Sequence, residues 1–256
     1  MTDQPSVIVE RRGRVQLITF NRPEVRNAIN LEMTQTVAAA LDELDADDDL
    51  AVGVVTGAGG YFSAGMDLKA FARGEFPAVP VRGFAGITQY ASKKPLIAAI
   101  EGPALAGGFE IAVACDLLVC AEDSVFGLPE VKRGLVAVAG ALHQLPQRLP
   151  RGVVKEIALT GVPIDAQRAL QLGLVARVTP KGGALAAALE LAEEIAGNAP
   201  LAVQATKEVI DLQDAWHGEE FWARQGELAG PVIISRDAQE GARAFAEKRE
   251  PVWEAR

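Results

Sequence analysis

The stretch ALAGGFEIAVACDL, residues 104–117, sets two adjacent glycines before an apolar run that carries one acid, Glu110, near its start. An ionised carboxylate costs free energy among apolar residues unless something there stabilises it. After a strand, Gly107 and Gly108 can open a helix and let a ligand approach the backbone. The first N–H groups of a helix lack internal acceptors, and with the helix dipole they suit a developing negative charge. Glu110 lies three residues on from Gly107, on the same helix face, so its carboxylate reaches whatever sits at the Gly107 N–H. The same reasoning applies to SAGMDL, residues 63–68, where Gly65 and Met66 are expected to begin a second helix. Two such N–H groups aimed at one point make an oxyanion hole, in which each donor is worth roughly 3–4 kcal/mol of barrier. Tight helix–strand packing accounts for the same glycines without chemistry.

A second acid, Glu130, follows a strand and a proline in FGLPEVKRG, residues 126–134. Paired carboxylates move a proton on and off a small molecule. Taken alone, Glu130 reads equally as a helix N-terminal acid favoured by the dipole. Other reactive residue types are sparse. Cys115 and Cys120 lie in an apolar stretch with no histidine at metal-ligand spacing, and read as buried reduced thiols. A disulfide is not expected. His143 and His217 are isolated, and no Gly-x-Ser-x-Gly stretch supports a serine nucleophile. No metal ligand set emerges.

The chain has 256 residues, 49% of them hydrophobic, which suits one large globular domain or one domain with an appended subdomain. A formal net charge of −9 argues against nucleic-acid binding, which needs Lys and Arg to neutralise phosphates. No run reaches the ~18 uninterrupted apolar residues of a membrane helix. The start, MTDQPSVIVERRGR, lacks the apolar core of a secretory signal. The expectation is a soluble, cytoplasmic protein.

These residues need elements to position them. SVIVERRGRVQLITF alternates in strand fashion around Arg12-Gly13, a hairpin signal. Leu31, Val37, Leu41 and Leu44 recur at helical spacing, and the acids Asp45, Asp47, Asp48 and Asp49 are expected to end that helix in a solvated turn. LAVGVVTG, PLIAAIEG, DLLVCA and VFGLPE read as strands. Residues 72–92 look irregular, with Gly74, Pro77, Pro80 and Gly83 as breakers. Beyond about residue 140 the pattern turns helical, over 165–172, 184–197, 200–215 and 236–248, with Pro146, Pro150, Pro163, Pro180 and Pro200 separating or starting elements. The fold class is α/β, with strand-strand-helix order recurring along the chain.

NRPEVRNAIN, FSAGMDL, GPALAGGFEIAVACDL, FGLPEVKRG and LTGVPIDAQRALQLGLVARV occur in the order seen in the crotonase (enoyl-CoA hydratase/isomerase) superfamily. The chain resembles that superfamily from about residue 6 to residue 253, and its ending, AFAEKREPVW, looks like the carnitinyl-CoA dehydratase branch. The resemblance implies a spiral of strand-strand-helix turns, with a core and acyl-CoA site over residues 1–200 and a helical trimerisation region over 201–256. It implies an acyl-CoA thioester substrate, a homotrimer or a hexamer formed as a dimer of trimers, and no cofactor or metal beyond the coenzyme A of the substrate. By matching motifs, Met66 and Gly107 supply the oxyanion N–H groups, and Glu110 and Glu130 are the catalytic acids.

The same resemblance assigns Val25, Arg26 and Ala28 to the coenzyme groove, and Ala64, Asp67, Leu68 and Lys69 to the loop beside the thioester. Lys248 is assigned to a coenzyme phosphate, from the same or a neighbouring subunit, although Lys69 and Lys248 read equally as surface lysines. One departure stands out. Hydratases of the superfamily carry G-x-x-P-G-x-G-G after the second acid, and here the stretch is GLVAVAGAL, residues 134–142. Val138 replaces a glycine whose backbone helps hold the catalytic water, and its side chain is expected to narrow the pocket. The implied activity is hydration of a 2-enoyl-CoA, reversible as 3-hydroxyacyl-CoA dehydration. The alternatives are a carnitinyl-CoA-dehydratase-like enzyme, a double-bond isomerase, and a non-catalytic acyl-CoA-binding protein.

Overall fold

The computed structural model describes residues 4–256; residues 1–3, the first of the stretch read for a leader, lie outside the described residues. The elements in chain order begin with β1 (Val7–Arg12), β2 (Val15–Phe20), α1 (Leu31–Ala46), β3 (Val52–Gly57), α2 (Leu68–Ala72), β4 (Ala78–Val79) and β5 (Gly83–Phe84). The middle of the chain gives β6 (Leu96–Ile100), β7 (Pro103–Leu105), α3 (Gly107–Ala114), β8 (Leu117–Ala121), β9 (Val125–Gly127), α4 (Ala141–Arg148) and α5 (Arg151–Thr160). The last part comprises β10 (Ile164–Asp165), α6 (Ala166–Gln171), β11 (Arg177–Thr179), α7 (Ala184–Ala196), α8 (Pro200–Leu212), α9 (Glu219–Ile233) and α10 (Arg236–Glu247).

A six-stranded sheet runs β1-β2-β3-β6-β8-β11, antiparallel between β1 and β2 and parallel elsewhere. A smaller sheet runs β10-β9-β7. Successive turns of the chain place one strand in the large sheet and the next in the small one, β6 then β7, β8 then β9. This is the spiral of strand-strand-helix turns that the resemblance implies. Parallel strands covered on both faces read as continuous apolar runs, and β3 and β6 do. On one face Ala188, Ala192 and Ala196 of α7 recur every fourth residue, and their small side chains let the helix lie close on Val54, Ile97 and Val119. On the other face α1, α3 and α4 pack with Phe20, Phe62, Phe109 and Phe126 in the main core.

Several elements differ from the sequence reading. The sequence reading did not mark helices α4, α5 and α9, and Pro146 lies inside α4 rather than between elements. Pro146 is the sixth of the eight residues of α4, and the helix ends two residues after it. The strand β7 was hidden in the GPAL stretch because three residues show no period. The helix expected to start at Gly65-Met66 starts at Leu68, because the Asp67 carboxylate accepts from the Lys69 and Ala70 N–H groups and caps it there. Asp45 is not a solvated turn residue: it accepts from the Tyr90 hydroxyl (2.6 Å), the Ser92 hydroxyl (2.9 Å) and the Lys93 N–H (3.0 Å).

The loop after β2 is pinned by Asn27. This fully buried side chain accepts from the Arg22 N–H (2.9 Å) and donates to the carbonyls of Ala58 (2.9 Å) and Tyr61 (2.6 Å). Asn27 and Arg26 both adopt left-handed backbone, with φ of 52° and 56°. Asparagine tolerates that region better than most residues. Asn27→Ala leaves three part-buried backbone partners unsatisfied and a strained alanine, so it is expected to cost about 3 kcal/mol. Urea unfolding, read as a fall in midpoint at constant slope, checks this.

Candidate active site

Three segments lie side by side. The Ala64 N–H donates to the Arg26 carbonyl (3.0 Å), the Ile29 N–H to Gly65 (2.8 Å) and the Asp67 N–H to Ile29 (2.9 Å). The Leu105 N–H donates to the Ser63 carbonyl (3.2 Å), and Ser63 bridges Ala104 in parallel. The segments Arg26–Ile29, Ser63–Asp67 and Ala104–Gly107 therefore form a small backbone weave. Its closest approach is at the glycines: a Cβ on Gly65 would come 2.7 Å from the Gly107 nitrogen, and one on Gly107 3.3 Å from the Gly65 Cα. Gly108 is small for a different reason, since a Cβ there would meet the Ser63 carbonyl at 2.1 Å. For Gly108 the packing account holds.

In the bridge between Ile29 and Met66, Ile29 bonds to the residues on either side of Met66, which leaves the Met66 N–H directed away from it. Gly107 is the first residue of α3. Neither N–H has a protein acceptor among the described residues. Ala106, just before Gly107, has φ 51° and ψ −130°, a conformation that costs a non-glycine residue about 1–3 kcal/mol. The Ala106 N–H is fixed on the Gly127 carbonyl (2.9 Å), and that strained turn sets the direction of the Gly107 amide.

Glu110 is buried one turn along α3. Its Oε1 accepts from the Ala139 N–H (2.8 Å) and the Ala141 N–H (3.3 Å), either side of Gly140 with its φ of 130°. Burial pushes the Glu110 carboxyl above the ordinary carboxylate range. The Ala141 amide opposes the shift, the charge of Glu130 adds to it, and the Ala139 and Gly140 amides oppose it again. Glu130 is also raised, first by burial, against the pull of its own N–H and of Arg133. Its Oε2 is out of water with no hydrogen-bond partner among the described residues. The charge of Glu130 reaches Glu110, and like charges disfavour ionising both carboxyls together.

Glu130 borders a cavity of about 880 Å³ whose walls include Leu128, Val136, Ala137, Leu142 and His143. The residues lining that cavity do not include Gly65 or Gly107, so the candidate site extends beyond it to the weave. Val138 is 77% exposed and does not line it; the expected narrowing by this side chain is not found, because the loop before Gly140 turns it to solvent. The Val25, Arg26 and Ala28 segment borders the weave, with Arg26 exposed over the Tyr61 ring at 5.8 Å. Leu68 and Lys69 are exposed beside it. Asp67 is occupied structurally: Oδ1 caps α2 and Oδ2 pairs with Arg22 at 3.0 Å. Burial pushes the Asp67 carboxyl up, but the Ala70 amide and Arg22 outweigh it and hold it below the usual range. Lys248 stands exposed at the end of α10, with no hydrogen bond or ion pair to these segments among the described residues. Residues the sequence reading missed are Ala106, Asn27, Ala139, Ala141 and Phe84, whose ring lies against Gly107.

The family model described as enoyl-CoA hydratase/isomerase matches residues 10–256. The chain belongs to this family. It is 41% identical to an enoyl-CoA hydratase of Mycobacterium tuberculosis, over 98% of this chain and 97% of that protein. It is equally 41% identical to a carnitinyl-CoA dehydratase of Salmonella typhimurium, over 98% and 99%. Among solved structures, an enoyl-CoA hydratase from Mycobacterium tuberculosis superposes with a TM-score of 0.97 at 51% identity, over 99% of this chain and 100% of that one. Among the described residues no helix is long and apolar enough to cross a membrane, and no group of three or more His, Cys, Asp and Glu is placed to hold a metal ion.

The raised proton affinity of Glu110 has a consequence for stability in this family member. The fold favours its protonated form, so that contribution is complete below the ordinary value of 4.5 and is lost as pH rises through the raised value. Glu110→Gln keeps an oxygen for the Ala139 N–H and removes the buried charge. Its melting temperature is expected to match wild type near about pH 4.5 and to exceed it near about pH 8. Thermal unfolding at both pH values checks the sign; a variant less stable than wild type at the higher pH contradicts it.

Proposed function

We propose that this chain is an enoyl-CoA hydratase, a hydro-lyase that adds water across the C2–C3 double bond of a 2-enoyl-CoA and removes it in reverse. The observation that carries this reading is the buried Glu110, one turn along from the Gly107 N–H and close enough to the half-buried Glu130 to feel its charge, together with two backbone N–H groups that have no protein acceptor among the described residues. The Met66 and Gly107 N–H groups hold the thioester oxygen as it gains charge. The Glu110 carboxylate takes a proton from water while the water oxygen bonds to C3. The C2–C3 electron pair moves onto the thioester oxygen, and the enolate then takes the Glu130 proton at C2 as the carbonyl reforms. The reaction balances with water, one acid and one base, so this reading calls on no cofactor.

The remaining assignments are proposals of the same reading. Val25, Arg26 and Ala28 line the coenzyme groove through their backbone; Ala64, Leu68 and Lys69 flank the thioester, with Asp67 holding that loop. The Val138 backbone helps hold the water, and Lys248 meets a coenzyme phosphate. Residues 1–200 form the acyl-CoA core and 201–256 an assembly region for a trimer or a dimer of trimers. Trp222, Ile233, Ile234 and Phe245 of that region expose most of their apolar surface, which supports burial against other copies. Cys115 and Cys120 are buried free thiols, each pushed up to about 12 by burial, which fits a reducing cytoplasm.

A carnitinyl-CoA-dehydratase-like reaction is the second reading, favoured by the 41% identity to the Salmonella enzyme of that name. Crotonyl-CoA and a panel of 3-hydroxyacyl-CoA thioesters, followed by the absorbance of the conjugated thioester, separate the two. Turnover of crotonyl-CoA is expected. Glu110→Gln and Glu130→Gln are each expected to lower kcat by about 100-fold or more. Wild-type rates in both variants would remove the mechanism.

A further inference from the structure

The irregular stretch after α2 is tied to α1 by side chains that touch none of the reacting groups. The Arg82 guanidinium pairs with Asp42 and lies over the Tyr90 ring at 3.8 Å, only 15% exposed. The Tyr90 hydroxyl donates to Asp45 at 2.6 Å, and the Gln89 N–H donates to the Arg82 carbonyl at 3.0 Å, closing the loop between them. The backbone at Gly86 presses on α1: a Cβ there would lie 2.6 Å from the Thr34 carbonyl. The loop is thus clamped along one helix.

The opposite side of this loop meets both halves of the site. A Cβ on Gly107 would lie 2.7 Å from Cε1 of Phe84, so the phenyl ring packs directly on the residue whose N–H is the proposed donor. Four residues on, the Thr88 carbonyl accepts from the Gln144 side chain (3.3 Å), and a Cβ on Gly140 would lie 3.4 Å from it. Gly140 sits between the two residues whose N–H groups hold Glu110. One clamped loop therefore backs the Gly107 amide at Phe84 and the amide cradle of Glu110 at Thr88.

We propose that Arg82 and Tyr90 are positioning residues: clamping the 82–90 loop to α1, they hold Phe84 against the Gly107 amide and Thr88 behind the amide cradle that orients the Glu110 carboxylate. The proposal rests on the hydratase reading. Misplacement of a reacting group by about 1 Å costs rate rather than binding, so the clamp is read in kcat more than in KM.

The test is hydration kinetics together with the near-ultraviolet absorbance of a bound 3-ketoacyl-CoA. Its enolate is stabilised by the same amides that polarise an enoyl thioester. Arg82→Ala is expected to lower kcat by about 10-fold or more with KM changed less than about 2-fold, and to weaken the enolate absorbance. Tyr90→Phe keeps the ring under the guanidinium and loses only the bond to Asp45, so a smaller loss is expected. Arg82→Lys restores the pair with Asp42 and part of kcat. A folded Arg82→Ala with wild-type kcat and enolate absorbance overturns the proposal. If the wild-type chain hydrates no enoyl thioester, the hydratase reading fails while the enolate absorbance still decides the clamp. Equal absorbance in the two proteins overturns the clamp, and weaker absorbance in Arg82→Ala upholds it.

Discussion

The backbone at Gly65 passes so close to the Gly107 amide that Gly65 has no room for a side chain, and the Phe84 ring denies one to Gly107. The rest of the site depends on that contact. It brings the Gly65–Met66 peptide against the first N–H of α3, two donors that no helix or strand consumes. Around it the chain accepts local cost. Arg26, Asn27 and Ala106 hold left-handed or strained backbone, and each is fixed by hydrogen bonds from the neighbouring segments. Strain of about 1–3 kcal/mol per residue persists only where the surroundings over-determine it, and such positions cluster at functional sites.

The acids depend on the same architecture. Opening α3 at Gly107 places Glu110 one turn inward, among apolar residues, where the Ala139 and Ala141 amides stabilise its carboxylate and the charge of Glu130 opposes it. A surface glutamate would ionise freely and hold no proton for exchange. Burial raises both carboxyls, and one of the pair can then stay protonated while the other is charged. The large sheet and the close-packed α7 contribute stability that offsets this buried polarity.

The sequence made the acids and glycines legible because their chemistry is local. A glycine pair after a strand and an acid one turn later leave a pattern that needs no tertiary information. The long apolar strands β3 and β6 and the helix α1 were legible for the same reason. What the sequence hid was set by contacts distant along the chain. Phe84 backs Gly107 from 23 positions away, and nothing around it marks that ring. Asp45 reads as one of a run of solvated acids until the loop 90–94 folds onto it. Val138 reads as a pocket residue by position, yet the turn at Gly140 faces it outward. Helices α4 and α5 were masked by Pro146 and Pro150, which sit inside one helix and at the start of the next.

In the proposed mechanism two main-chain amides grip one thioester oxygen. The carbonyl stretch of an isotope-labelled enoyl-CoA, measured free and bound by difference infrared spectroscopy, tests it directly. Donation from Met66 and Gly107 would weaken the C=O bond, so that band is expected to shift to lower frequency on binding, and to shift less in Gly65→Ala, where the new Cβ crowds the Gly107 nitrogen. A band unmoved from its position in solution, with the ligand demonstrably bound, would contradict it.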